Sequence, residues 1–151
     1  MYLVSVKPKN YRRKTSRQSG LLKTTTPVAP PDPEAEQLVQ QLLAALPALL
    51  LVAVVDTASG QCRAGWSGMQ GVEPQQVATY GAAVVRHQQA SEALQQAGEK
   101  LTEISFFLST QLHLLQALSD GQQFIYLVGE RTTISLGLAR ELLRRGQLMP
   151  A

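Results

Sequence analysis

Two runs in this chain, Leu49-Leu50-Leu51-Val52-Ala53-Val54-Val55 and Phe124-Ile125-Tyr126-Leu127-Val128, are apolar at every position. A strand with one wet face alternates apolar and polar residues, whereas a strand covered on both faces does not. The two runs therefore predict neighbouring strands at the middle of a sheet, with a layer of other structure on each side.

The rest of the chain supplies those layers. Pro33 followed by Glu34 and Glu36 opens a helix, since proline suits a helix start and acids suit its first turn. Leu38, Leu42, Ala45 and Leu46 continue at helical spacing until Pro47 stops it. Asp56-Thr57-Ala58-Ser59-Gly60 is a turn, and the more polar residues 61–67 form the second arm of a hairpin. Residues 73–97 predict the longest helix, opened by Glu73-Pro74 and closed by Gly98. Ile104, Phe106 and Leu108 alternate with Ser105 and Ser109, and Leu112 and Leu114 alternate around His113. An Asp120-Gly121 turn then leads into the second apolar run. A closing helix runs from about Thr133 to Arg145, with Leu136, Ala139, Leu142 and Leu143 inward, and Gly146 ends it.

The order α-β-β-α-β-β-β-α predicts an α+β fold. It is a three-layer α/β/α sandwich on a five-stranded antiparallel sheet, with the second and third strands at the edges. The long helix connects one edge to the other and must cross one face. The first and last helices cover the opposite face.

Composition narrows the function classes. The 151 residues include one cysteine, Cys62, which excludes an internal disulfide and a cysteine zinc cage. Aromatic residues are 5%, too sparse for a platform that stacks nucleic-acid bases. Charge is uneven. Residues 1–33 carry seven Lys and Arg against Asp32, net +6, while the remainder is −3, so the total of +3 describes a basic tail on a mildly acidic domain. The expected organisation is a disordered basic extension over 1–33, a domain over 34–146 and a short tail over 147–151. A tether to anionic surfaces is the functional alternative for the extension. The most apolar window, Leu42 to Val55, is interrupted by Pro47 and falls short of the roughly 20 residues a spanning helix needs. No secretory signal pattern is visible. A soluble, cytoplasmic protein is expected.

The long helix carries two apolar stripes. Val77, Tyr80, Val84, His87 and Leu94 form one, which is assigned to the sheet. Ala78, Gly81, Ala82 and Val85 form the other, about 100° away on the helix. A mid-helix glycine costs about 1 kcal/mol against alanine, so Gly81 implies a close neighbour. The small stripe is therefore assigned to a second copy of the chain, giving a homodimer whose interface comprises Ala78, Gly81, Ala82, Val85 and, on the exposed edge strand, Phe107.

Signals for chemistry are absent. The chain has no phosphate loop, no dinucleotide fingerprint and no nucleophile elbow. Asp56 reads as a turn cap. The spacing of Cys62, His87 and His113 resembles no metal site. Asp120 and Glu130 flank a strand without a matched base or nucleophile. Neither an enzyme nor a cofactor is expected. Trp66 reads as either a sheet-edge packing residue or a partner contact.

Several of these segments together resemble the roadblock family, small domains related to dynein light chains and bacterial gliding-motility regulators. The matching segments are the helix before Val52-Ala53-Val54-Val55-Asp56, the Ser59-Gly60 turn, the Ala-rich long helix, Gln111-Leu112-His113-Leu114, Phe124-Ile125-Tyr126-Leu127-Val128, and Leu136-Gly137-Leu138-Ala139-Arg140. Longin-like and profilin-like domains share parts of this layout. The resemblance implies a two-fold dimer in which long helices pack together and third strands join the sheets. It also implies a non-catalytic scaffold or regulator, often of a small Ras-like GTPase. The alternative function is a small-molecule sensor, with a pocket between the long helix and the sheet lined by Tyr80, His87 and Phe106.

Overall fold

The computed structural model describes residues 32–119 and 121–148. The basic extension up to residue 31, Asp120 and residues 149–151 lie outside the described residues.

Helix α1 spans Pro33–Ala45, and the Asp32 side chain caps it by accepting from the Ala35 N–H at 3.1 Å. Strand β1 (Leu49–Asp56) and strand β2 (Cys62–Ser67) form the first hairpin. Its turn is closed by Asp56, whose Oδ2 accepts from the Ser59 N–H at 3.0 Å and the Ser59 hydroxyl at 2.6 Å. Gly60 follows at φ +74°, the left-handed region that glycine enters without steric cost.

Helix α2 spans Pro74–Gln89 and the five-residue helix α3 spans Glu92–Gln96. The expected single helix over 73–97 is thus broken. Ser91 adopts an extended conformation (φ −61°, ψ +120°) between the two, and the chain restarts at Glu92. Strands β3 (Glu103–Phe107), β4 (Gln111–Ala117) and β5 (Gln123–Glu130) follow, and helix α4 spans Leu136–Leu148. Gly146 lies inside α4 and does not end it.

The five strands pair antiparallel in the order β2-β1-β5-β4-β3, so the two continuously apolar runs are central neighbours and β2 and β3 are the edges. Val52, Val54, Leu114, Ile125 and Leu127 face α1 and α4 on one side. Leu51, Ala53, Val55, Leu115, Phe124, Tyr126 and Val128 face α2 on the other. These are the three expected layers. Alternation along each strand sends successive side chains to opposite cores, which is why the central runs contain no polar residue.

Coverage is uneven on the α2 side. Helix α2 packs mainly over β1 and β2 and touches β5 lightly, so that toward β3 and β4 Leu115 stays buried while Ile104, Phe106 and His113 are only half-buried. This asymmetry creates the surface described next.

Candidate interaction surface

The structure reverses the two stripes of α2. Ala78 and Ala82 are 0% exposed, Val85 is 5% exposed and Gly81 is buried, all against the chain's own sheet. These four residues are core, so their assignment to a partner-facing surface is incorrect. The physical reason lies in the sheet. Tyr126 and Phe124 project large rings toward α2, and only small residues fit above them. A Cβ on Gly81 would lie 3.2 Å from Phe124 Cε2. Gly81 does mark a close approach, but the neighbour is internal.

The stripe assigned to the sheet instead faces outward. Tyr80 is 56% exposed, Val77 and Val84 are half-buried, and His87 is exposed. Beside them runs the open part of the sheet. Strand pairing places Phe106 opposite His113 and Ile104 opposite Leu115, all on the α2 side. Tyr80 is the exposed member of this group; Val77, Val84, Ile104 and Phe106 are half-buried, and Val77, Ile104 and Phe106 pack against the core on this side of the sheet.

Phe107, on the opposite side of β3, is 58% exposed, as expected for the edge. The Arg131 guanidinium lies 5.4 Å from its ring centre, within cation–π range, and Arg131 Nη1 donates to the Leu108 carbonyl at 3.0 Å. Arg140 from α4 holds the other end of β3. Its Nε donates to both Glu103 carboxylate oxygens, at 3.0 and 2.8 Å, and its Nη2 completes a fork-to-fork ion pair. Among the described residues, no strand pairs with the outer rim of β3.

His113 and Tyr126 form the polar floor of the open strip. His113 Nδ1 lies 2.7 Å from the Tyr126 hydroxyl and Nε2 lies 3.0 Å from Gln111 Oε1, with the rings edge-on. Gln111 presents a carbonyl oxygen, so Nε2 carries the proton and Nδ1 accepts from Tyr126. Burial holds the His113 imidazole below its ordinary value. Burial, with a smaller contribution from nearby Tyr80, pushes the Tyr126 hydroxyl well up.

The pocket expected between the long helix and the sheet is not formed by Tyr80, His87 and Phe106, because Tyr80 and His87 point outward. The cavity at the α2 layer, beside Thr57, Val85, Leu101 and Phe124, measures about 10 Å³, room for one water molecule. Among the described residues, no group of three or more His, Cys, Asp or Glu side chains is placed to hold a metal. The Cys62 thiol contacts the Ala64 carbonyl at 3.3 Å, and burial raises its pKa, away from the reactive thiolate. Asp56 is held below the ordinary carboxylate value by its bonds to Ser59, which fits a turn cap. Trp66 of β2 lays its ring beside Gly68, just past the strand's end, and is exposed. No helix among the described residues is long and apolar enough to cross a membrane.

This arrangement of sheet and helices is the Roadblock/LC7 fold. MglB of Myxococcus xanthus superposes with a TM-score of 0.64 at 16% identity, covering 76% of this chain and 83% of that one. A Roadblock/LC7 domain from Streptomyces avermitilis gives 0.63 at 10% identity, covering 75% and 91%. An MglB solved in a tetrameric arrangement gives 0.60 at 18% identity, covering 77% and 86%. No protein-family model matches the sequence, and no curated protein matches it.

Proposed function

We propose that this chain is a non-catalytic scaffold or regulator that self-associates and binds a protein partner, with a small Ras-like GTPase as the partner class. The observation that carries this reading is the exposed Tyr80 on α2 and the exposed Phe107 on β3, with half-buried Val77, Val84, Ile104 and Phe106 and an edge strand β3 that pairs with no further strand among the described residues. An exposed apolar surface next to an open strand edge exposes two things that water satisfies poorly and a second copy satisfies well. A two-fold axis near β3 would lay one outer α2 stripe on its twin and set the β3 edges, with Phe107, against each other. The tetrameric arrangement of one MglB with the same fold supports assembly of copies. The GTPase class rests on the family resemblance.

Affinity capture with the tagged full chain from native cells, with GTP or GDP added, tests the partner class. Enrichment of a small GTPase that depends on the nucleotide is expected. Capture that never contains a GTPase contradicts it.

A further inference from the structure

We propose that His113 makes self-association acid-labile, because the covered interface accepts the neutral imidazole and rejects the charged one. This inference rests on the self-association reading above and assigns it a regulatory control.

The geometry supplies the argument. His113 lies on the open α2 side of β4, directly opposite Phe106 of β3. Both ring nitrogens are engaged, with Nδ1 accepting from Tyr126 and Nε2 donating to Gln111. A second proton on Nδ1 removes the acceptor for the Tyr126 hydroxyl hydrogen. Tyr126 is 1% exposed, so water reaches that hydrogen poorly. In the free subunit His113 is half-buried and keeps some solvent to share an added charge. A second copy over the strip removes that solvent.

The charged and titratable groups facing this site are few. Strand β5 contributes Tyr126 and, across from Gln111, Glu130. Helix α2 contributes Tyr80 and His87 on its outer stripe. Strand β3 presents the uncharged Ile104 and Phe106. Burial already holds the His113 pKa down in one subunit, and covering lowers it further. A group whose pKa falls on association stabilises the complex at high pH. That stabilisation is lost as pH drops through the lowered value.

The test is the dimer dissociation constant of the full chain by sedimentation at pH 7.5 and pH 5.0, with circular dichroism confirming the fold at each pH. The wild type is expected to weaken by about tenfold or more, and His113→Gln, which keeps hydrogen-bonding groups without a titratable proton, is expected to lose that dependence. His87→Gln should retain it. NMR titration of the His113 ring in the wild type gives a second readout, with a lower pKa expected at dimer-forming concentration than on dilution. A dimer equally tight at both pH values overturns the acid control and leaves self-association standing, as does an acid response unchanged in His113→Gln. A monomer at every pH overturns both readings.

Discussion

A Cβ at Gly81 would lie 2.7 Å from Tyr126 Cδ2, closer than a folded chain tolerates without moving one of the two. Helix α2 reaches its seat on the sheet only because position 81 has no side chain and position 126 has a ring. The same ring meets His113 through its hydroxyl at 2.7 Å. Tyr126 thus couples the packing of the long helix to the floor of the open strip.

Gly81→Ala should therefore destabilise the protein although alanine is the better helix former. Overpacking costs about 1–3 kcal/mol, and the propensity gain returns about 1 kcal/mol. A lower urea midpoint than wild type is expected, with the slope of the transition unchanged.

Val85→Glu should unfold the subunit rather than release it from a partner. Val85 is buried against the chain's own sheet, and a carboxylate there has no partner. Far-UV circular dichroism should show a melt shifted far down, or no cooperative transition.

Asp32→Ala should cost about 1 kcal/mol, since it removes the acceptor for the Ala35 N–H at the start of α1. The same carboxylate lies 3.6 Å from Arg63 on β2, so the change also loosens the contact between α1 and the sheet edge. A lower thermal midpoint and faster amide exchange in the first turn of α1 should appear together.

Asp56 carries a stability contribution with a defined pH dependence. Its carboxylate is held below the ordinary value by the Ser59 bonds, so the contribution is present above the unfolded-state pKa and lost as pH falls through the folded one. Asp56→Ala should lower the urea midpoint near neutrality and flatten its decline as pH falls through and below the ordinary carboxylate range.

The layers were legible in the sequence because burial on both faces leaves a mark in the residues themselves. Leu49 to Val55 and Phe124 to Val128 could only be central, and the more polar second and third strands fell to the edges. The orientation of α2 was not legible, because the helix has two apolar stripes and bulk alone does not say which one meets the sheet. The deciding residues, Phe124 and Tyr126, lie far along the chain, and their rings take the volume that small residues on α2 leave free. The break after Gln89 had a weak local signal, a serine of helix-capping type before Glu92, masked by the continuing run of helix-forming residues. The His113–Tyr126 pair carried no sequence signal, since strand register alone brings the two together.

The central claim is that the outer stripe of α2 and the open strip of the sheet meet a second copy of the chain. The direct measurement is the mass in solution, by light scattering at micromolar concentration and pH 7.5, of the wild type and of Tyr80→Glu. The account predicts twice the 16.4 kDa chain mass for the wild type, and a folded species of single-chain mass for Tyr80→Glu with unchanged circular dichroism. A wild type of single-chain mass, or a Tyr80→Glu protein still at twice that mass, would contradict it.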